Sequence, residues 1–482
     1  MPDAPAQQHS RRFVVALVAA VLLAAAVRAP FLTDSLWYDE IAAFLGYSIN
    51  GPWGAVSTYY TQANHVLHSL LAWCSGAALG VDEVTVRLPS FLAGLGAVLA
   101  VAWLAMIALG RDAKGVRLAV TAAFMTALMP IAVLPATEAR GYSLMTLFAA
   151  LMTAAFLRGL RRPTRTAWLV YAAACALGIW AHLVTVCVPA FHAAWCVAVL
   201  LRGTPSTPGG TPPKAARAGL MAIGMAALLT LLVYAPILPA MFAIRSEFRA
   251  LDGNEPTLLG TEGLMMLLSI GGSWKVWASL AALPLAVAGI AAATRDARLR
   301  TALLLSLGGA VVALAFPLFL GSWLYARFLA FTVPGIALLL AAGLLEINDR
   351  KPIAARVMAL LVVSAWIASL ATLGPRQQIR EAVMYVASHR TPTEGAFAVG
   401  LPDDVHQWYA VPLRVDMPGS GPYGSALEQR LRDPAATWAV LFYPRTLTNA
   451  ANQLRDAGFV EEARFPGWID ADGGEIVVLR RR

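Results

Sequence analysis

The feature that most constrains this chain is a series of long apolar runs that recurs from residue 13 to residue 373. Each run is about 17–22 residues long, which is the length that an α-helix needs to cross a bilayer. Only 13% of the residues are charged, about half the share expected of a soluble domain. The runs also lack the alternating pattern of a membrane barrel. A polytopic α-helical membrane protein with about 11 spans is predicted, near 13–32, 88–109, 118–135, 142–158, 167–182, 184–201, 218–236, 277–293, 301–320, 328–345 and 355–373.

The segment 65–80 decides how the loops between the runs are oriented. If this short segment is a span, the basic loops fall on both sides of the membrane. If it is instead a helix lying along the interface, every basic loop falls on one side. The second arrangement is preferred, and the positive-inside rule places those loops and the N-terminus in the cytoplasm. The basic loops contain Arg111, Lys114, Arg117, Arg158, Arg161, Arg162, Arg165, Arg202, Lys214, Arg217, Arg295, Arg298, Arg300, Arg350, Lys351 and Arg356.

The net charge of +9 is therefore explained by basic loops that orient the protein in the membrane. No nucleic-acid partner is expected.

The composition changes after residue 373, where charges become frequent and no apolar run reaches membrane length. Short apolar stretches at 396–400, 438–443 and 475–479 predict strands, and 381–389, 427–432 and 447–457 predict helices. Two domains are therefore expected. Residues 1–373 form a transmembrane domain with external loops at 33–87 and 237–275, and residues 374–482 form a small extracytoplasmic α/β domain.

Four polar clusters share the external side in this arrangement. They are Asp39 with Glu40, Asn64 and His65 with His68, Glu138 with Arg140 and Tyr142, and Tyr325 with Arg327. A carboxylate there can act as a general base on a hydroxyl group, and arginine can hold a phosphate. Further candidate arginines are Arg87, which opens the span near 88–109, and Arg245 and Arg249 of the loop at 237–275.

Each cluster also has a structural interpretation. Asp39 and Glu40 can cap an interfacial helix, and Arg245 and Arg249 can form a solvated face. Glu138, Arg140 and Arg327 can anchor the ends of spans. His65 and His68 lie on one helical face, where they can bind a metal or make interfacial hydrogen bonds.

The nucleotide-binding patterns G-x-x-x-x-G-K and G-x-G-x-x-G are absent from the sequence. An external transferase without a nucleotide site needs an activated donor that is already outside. A sugar on a polyprenyl phosphate meets this requirement.

The order of these motifs resembles that of the GT-C glycosyltransferase superfamily. The resemblance rests on Trp37-Tyr38-Asp39-Glu40, Asn64-His65-Val66-Leu67, Arg87-Leu88-Pro89-Ser90, Glu138-Ala139-Arg140-Gly141-Tyr142 and Tyr325-Ala326-Arg327-Phe328. Within the superfamily the chain is similar to the protein O-mannosyltransferases and the lipid A aminoarabinose transferase. Many bacterial members also have a small external domain, whose opening is similar to Arg380-Glu381-Ala382 here.

The resemblance implies transfer of a sugar from a polyprenyl monophosphate, usually with inversion at the anomeric carbon. Asp39 matches the catalytic carboxylate of the first external loop, and Glu138 matches the second acidic position, with Arg140 beside it. His65 falls where many members have His-Pro-Pro. Here Val66 and Leu67 follow it, so the chain departs from the family pattern at this point.

The function expected from the sequence is a hexosyl or pentosyl transfer from a lipid-phosphate donor to an acceptor hydroxyl outside a bacterial inner membrane. A ligase that moves a whole lipid-linked glycan is the first alternative, and a lipid or polysaccharide transporter is the second. The partners are a polyprenyl-phosphate sugar, membrane lipids and a lipid, glycan or protein acceptor. No metal ligand is assigned, although a divalent metal remains open. The expected catalytic residues are Asp39 and Glu138, and the expected binding residues are Glu40, His65, Arg87, Arg140, Tyr142, Arg245, Arg249, Tyr325 and Arg327.

Overall fold

The structure is a computed structural model that describes residues 4–60, 64–202, 211–243, 275–320, 326–401, 403–420, 425–469 and 473–482. Helices make up most of the described chain. Those before residue 372 are α1 Ala4–Arg28, α2 Tyr38–Gly46, α3 Gly51–Ser57, α4 Val66–Leu79, α5 Glu83–Leu109, α6 Ala113–Leu128, α7 Pro130–Val133, α8 Tyr142–Arg161, α9 Arg165–Ala181, α10 Cys187–Arg202, α11 Pro213–Tyr234, α12 Leu238–Ala243, α13 Lys275–Arg295, α14 Ala297–Leu320, α15 Val333–Arg350 and α16 Pro352–Ala371.

Short 3-10 helices connect some of these elements, and smaller helices and strands follow α16. The 3-10 helices are Ala29–Thr33, Ser48–Asn50, Leu134–Ala136, Leu183–Val186 and Ala326–Thr332. The later helices are α17 Ile379–His389, α18 Asp403–Ala410, α19 Ser425–Arg432 and α20 Thr448–Asp456. The strands are β1 Gly395–Val399, β2 Gly419–Ser420, β3 Ala436–Phe442, β4 Phe459–Phe465 and β5 Ile476–Arg481.

Nine helical segments in the described ranges are long and apolar enough to cross a membrane. A tenth arises if α6 and the turns that follow it, which meet at 76°, form one span. Helix α9 is apolar but has 17 residues, which is the lower end of spanning length. With both included, the structure agrees with the predicted polytopic helical fold of about 11 spans.

Helix α4 is the segment on which the predicted orientation depends. Its 14 residues extend about 21 Å, less than the about 30 Å of a bilayer core. The residues on either side of it confirm that it does not cross the bundle. Asp39, which precedes it, and Arg140, which follows the next two long helices, come within 3.7 Å of each other.

The break between α6 and α7 shows how a buried cation stabilises a bend. Pro130 cannot donate a backbone hydrogen bond, so the carbonyl groups at the end of α6 need other partners. Arg28, at the end of α1, donates to the carbonyl oxygens of Thr126 and Ala127 of α6 at 3.2 and 2.8 Å, and to that of Ala132 of α7 at 3.0 Å. The contact joins the first helix to the segment that leads to residues 137–141.

The two ends of the helix bundle differ in charge. At one end, Lys114 pairs with Asp296 at 2.7 Å, Arg117 pairs with Asp349, and Arg161 donates to the carbonyl oxygen of Ala108 at 2.9 Å. This basic end brings together the loops after α5, α8, α13 and α15. The opposite end carries Asp39, Arg140 and Arg327, and it is called the site end below.

The strands after α16 form one five-stranded sheet in the order β2-β1-β3-β5-β4. Strand β1 is parallel to β2 and β3, whereas β5 is antiparallel to β3 and β4. Val440 of β3 lies opposite Val478 of β5, and both are buried. Residues 374–482, called the tail below, thus include a mixed sheet with helices packed against it.

Helix α2 lies between the tail and the other helices of the site end. Its apolar residues Ile41 and Phe44 belong to one buried cluster with Val383 and Val440 of the tail. The ring of Phe44 meets that of Trp408 edge-on, with centroids 5.5 Å apart. The tail therefore positions the helix that carries Asp39 and Glu40.

Candidate active site

The site is built around the first turn of α2. Trp37 precedes the helix, and its backbone N–H donates to the Glu40 carboxylate at 3.1 Å. A side chain three residues into a helix that accepts from the capping residue is one half of a capping box. This contact starts the helix at Tyr38, and Asp39 and Glu40 then lie in its first turn, where the helix dipole favours negative charge.

Glu40 points away from solvent and forms a bidentate pair with Arg87 of α5. The Arg87 Nε and Nη2 atoms lie 2.9 and 2.6 Å from the two carboxylate oxygens. The Glu40 side chain is 0% exposed and the Arg87 side chain is 4% exposed. The backbone N–H of Ala139 also donates to Glu40 Oε1 at 2.5 Å.

The remaining hydrogens of the Arg87 guanidinium donate to backbone carbonyl oxygens of the loop before α2. The acceptors are Phe31, Leu32, Asp34 and Ser35, at 2.7–3.2 Å. The structure therefore places Glu40 and Arg87, both expected to bind substrate, in a buried pair that organises three segments.

Asp39 lies beside two guanidinium groups at the site end. Its Oδ2 atom is 3.7 Å from Arg140 Nη2 and 3.8 Å from Arg327 Nη2. Arg140 Nη1 also donates to the backbone carbonyl of Asp39 at 3.3 Å. The Asp39 side chain is 19% exposed, so its carboxylate remains partly accessible, whereas Arg140 is buried and Arg327 is 14% exposed.

Arg327 is held by aromatic groups from two other segments. Its Nε atom donates to the hydroxyl oxygen of Tyr142, the first residue of α8, at 3.0 Å. Its guanidinium carbon lies 5.7 Å from the centroid of the Trp37 ring, within the range of a cation–π contact. Residues separated by almost 300 positions in the sequence thus surround one carboxylate.

His65 is a buried residue that contacts Arg140. Its Nδ1 atom accepts the backbone N–H of Gly141 at 2.7 Å, and its Nε2 atom is 3.4 Å from Arg140 Nη2. Burial, followed by the nearby charge of Arg140, holds the pKa of His65 well below its usual range. The imidazole is therefore neutral at physiological pH.

His68 lies one turn further along α4, where burial lowers its pKa to about 3. Its Nε2 atom is buried and has no hydrogen-bond partner in the described part of the chain. In the same ranges, no group of three or more His, Cys, Asp and Glu side chains has an arrangement that could hold a metal ion.

Glu138 is paired with Arg376 of the tail. Arg376 Nε donates to Glu138 Oε1 at 2.5 Å, and the two side chains are 10% and 8% exposed. The same guanidinium lies 4.8 Å from the centroid of the Trp37 ring and 4.2 Å from that of Trp468. A crevice of about 30 Å³ beside Trp37, Glu138 and Arg376 has room for water but not for a sugar.

Three tail residues that the sequence analysis did not assign to the site hold the loop before α2. Tyr409 accepts the backbone N–H of Leu36 at 2.8 Å and donates to Glu83 at 3.2 Å. Gln377 accepts the backbone N–H of Tyr38 at 2.9 Å. Arg380 pairs with Glu83 at 3.0 Å. Burial raises the pKa of Tyr409, so its hydroxyl group remains a neutral donor.

Of the residues expected from the sequence, Asp39, His65, Arg140, Tyr142 and Arg327 come together at one place. Glu40 and Arg87 form the pair next to it, and Glu138 joins the tail. Arg245, Arg249 and Tyr325 lie outside the described residues, as does most of the loop expected at 237–275.

Neither the family models nor the curated proteins include a match to this chain. Solved structures do match. ArnT from Cupriavidus metallidurans in the apo state is 15% identical, with 98% of each chain covered and a TM-score of 0.61. The same protein bound to undecaprenyl phosphate is 14% identical, with 97% of each chain covered and a TM-score of 0.56.

An oligosaccharyltransferase from Archaeoglobus fulgidus, tethered to an acceptor peptide, matches at 13% identity and a TM-score of 0.52. The alignment covers 94% of this chain and 73% of that one. The likeness to ArnT extends over nearly the whole chain, from the helix bundle into the tail. The chain therefore has the fold of the GT-C glycosyltransferases, as the order of its motifs predicted.

Proposed function

We propose that this protein transfers a single sugar from a polyprenyl-phosphate donor to an acceptor hydroxyl on the extracytoplasmic side of the membrane. The observation that carries the proposal is the position of Asp39, a partly exposed carboxylate within 4 Å of Arg140 and Arg327. The reaction needs a base for the acceptor hydroxyl and cations for the departing phosphate, and this end of the bundle supplies both kinds of group.

In the proposed step, the Asp39 carboxylate accepts the proton of the acceptor hydroxyl. The acceptor oxygen forms a bond with the anomeric carbon as the bond from that carbon to the phosphate oxygen breaks. The electron pair of the broken bond leaves with the polyprenyl phosphate. Attack from the face opposite the phosphate inverts the configuration at the anomeric carbon.

Arg140 and Arg327 stabilise the charge of the departing phosphate in this proposal. Guanidinium groups suit this role because they present several donors in one plane and remain charged. Both guanidinium groups are already held in place, because Arg140 contacts His65 and Arg327 donates to the hydroxyl oxygen of Tyr142. Little reorganisation therefore accompanies the reaction. That ArnT is known bound to undecaprenyl phosphate supports a donor of this chemical class.

Glu40, Arg87 and Glu138 are positioning residues in this proposal. The Glu40–Arg87 pair holds the loop before α2 against α5, and it thereby orients the first turn that carries Asp39. Glu138 pairs with Arg376, so it connects the segment carrying Arg140 to the tail. Tyr142 supports Arg327 through its hydroxyl group.

The extracytoplasmic location is supported by the distribution of charge. The basic loops lie at the end of the bundle opposite Asp39, and such loops usually face the cytoplasm. A carboxylate at the other end meets donors that have already crossed the membrane. The expectation of a bacterial inner membrane is part of this proposal.

The experiment that tests the proposal is identification of the native lipid that copurifies with the full chain, followed by a transfer assay with that lipid. We expect mass spectrometry to find a polyprenyl phosphate bearing one sugar, and we expect that sugar to reach an acceptor hydroxyl with inversion. A donor bearing a whole glycan would favour the ligase alternative. A bound lipid that is translocated without bond cleavage would favour the transporter alternative, and either result would overturn the proposal.

A further inference from the structure

A second cavity lies at the basic end of the bundle, across the membrane-spanning region from Asp39. Its volume is about 1180 Å³, slightly above the usual range of small-molecule pockets. Helices α1, α5, α6, α15 and α16 contribute to it. Its apolar wall includes Phe13 of α1, Val116 and Val120 of α6, and Leu344 and Leu345 of α15.

Positive charge surrounds this apolar wall. Arg12, Arg111, Arg117 and Arg356 line the cavity from three helices and the turn between α5 and α6. Arg117 is paired with Asp349. The other three arginines are exposed and form no ion pair with any residue that the structure describes.

The carboxylate of Asp112 also lines the cavity, but it accepts the backbone N–H of Gly115 at 2.9 Å and so caps α6. The cavity therefore holds more cationic groups than the described carboxylates neutralise. A ligand that fits must supply negative charge at the rim and an apolar portion along the wall.

We propose that this cavity binds an anionic phospholipid of the adjacent leaflet, with the phosphate at Arg12, Arg111 and Arg356 and an acyl chain against α6 and α15. Basic cavities between transmembrane helices bind phosphate head groups in this way. Arginine is suited to this contact because its weakly hydrated guanidinium can bind a phosphate bidentately. The apolar wall distinguishes the lipid from inorganic phosphate, which has no group to place there.

The site is distinct from the proposed donor site, because Arg111, in the turn between α5 and α6, and Asp39, in α2, lie at opposite ends of the bundle. A lipid held at the basic end would also join α1 to α16, both of which contribute residues to the cavity. We therefore expect the bound phospholipid to stabilise the folded chain.

The test compares the purified full chain with two variants that each remove three positive charges. In the first, Arg12, Arg111 and Arg356 are replaced by glutamine. In the matched control, Arg158, Arg162 and Arg165, which are exposed at the same end but do not line the cavity, are replaced by glutamine. After delipidation, dioleoylphosphatidylglycerol, dioleoylphosphatidylcholine or inorganic phosphate is added. Native mass spectrometry counts bound lipid, and Tm measures stability.

We expect phosphatidylglycerol to bind the wild type and the control variant and to raise their Tm by several degrees. We expect at least a tenfold loss of binding in the cavity variant, with its Tm in phosphatidylcholine unchanged from that of the control. The proposal is overturned if both variants lose binding equally, if phosphatidylcholine binds as well as phosphatidylglycerol, or if inorganic phosphate alone gives the full stabilisation.

Discussion

The carboxylate of Glu138 and the guanidinium of Arg376 meet at 2.5 Å, although 238 positions separate them in the sequence. The pair joins the loop before α8 to the start of the tail. Arg376 also lies over the rings of Trp37 and Trp468. One side chain therefore connects the residue before α2, the loop before α8 and a distant part of the tail. The tail is therefore part of the framework that holds Asp39 in place.

Replacing Arg376 by glutamine should weaken this link. The Glu138 carboxylate is 8% exposed, and removing the partner of a buried charge costs about 3–5 kcal/mol. We expect a lower Tm and faster hydrogen exchange in residues 33–40 and 134–141. The control is Arg432→Gln, which removes an exposed pair with Glu428 within α19 and should change stability by less than about 1 kcal/mol. Equal effects of the two variants would show that the Glu138 pair does not join the tail to the bundle.

Breaking the Glu40–Arg87 pair should be among the most damaging single changes at the site end. Arg87→Met leaves the fully buried Glu40 carboxylate without its cationic partner and removes the guanidinium donor of four backbone carbonyl groups. We expect a loss of about 3–5 kcal/mol, measured as Tm and as yield of folded protein.

The matched variant for Arg87→Met is Arg117→Met at the basic end, where the Arg117–Asp349 pair is exposed and contributes about 1 kcal/mol or less. If Arg87→Met were as stable as this control, the Glu40–Arg87 pair would not organise the loop before α2.

Gly141 is a position where even one added methyl group should disturb the site. An added Cβ there would overlap the carbonyl oxygen of Ala181 and lie 3.0 Å from the Cβ of His65. Gly141→Ala should therefore displace His65 and Arg140 and reduce transfer at least tenfold. Gly46→Ala, at the end of α2, adds the same atom with nothing within 4 Å. Transfer at the wild-type rate by Gly141→Ala would argue against close packing around Arg140.

Stability should fall as the pH decreases below 6.5, because burial keeps His68 neutral in the folded chain. The pKa of His68 is about 3 when folded and about 6.5 when unfolded. Between these values the unfolded state binds the additional proton, so each decrease of one pH unit costs up to about 1.4 kcal/mol. His65 acts in the same direction, since burial also lowers its pKa.

The change in Tm between pH 7 and pH 5.5 measures this linkage. His68→Gln should reduce that change, whereas His389→Gln, at an exposed position of the tail, serves as the control. If His68→Gln has the same acid sensitivity as the wild type, His68 is not the source of the pH dependence.

Local patterns in the sequence predicted much of this architecture. The membrane spans are predicted from the length of the apolar runs. The position of α4 along the interface is predicted from the distribution of basic residues among the loops. Strands β1, β3 and β5 are predicted because they are apolar and buried. Strand β4 is not, since Glu461, Glu462 and Arg464 make it polar and it lies at the edge of the sheet.

The candidate site likewise contains residues that the sequence predicted and residues that it did not. Alternation of the spans is sufficient to place Asp39, Arg140 and Arg327 at one end. The partners Arg376 and Tyr409 could not be predicted, because they depend on how the tail packs on α2. No local spacing marks a contact between the tail and a loop more than 200 residues away. Likewise, charge and span alternation do not distinguish Glu40, which is buried against Arg87, from the adjacent and more accessible Asp39; only the resemblance to the family motif separated the two.

The role of Asp39 as the base is the central claim, and single-turnover transfer by Asp39→Asn with the copurified donor tests it most directly. Asparagine keeps the shape of the side chain but cannot accept the proton, so we expect transfer to slow about 10²–10⁴-fold with donor binding and Tm retained. Asp34→Asn, in the loop before α2 and without an ion pair among the described residues, should transfer at the wild-type rate. A folded, donor-bound Asp39→Asn variant that transfers sugar as fast as the wild type would contradict the account.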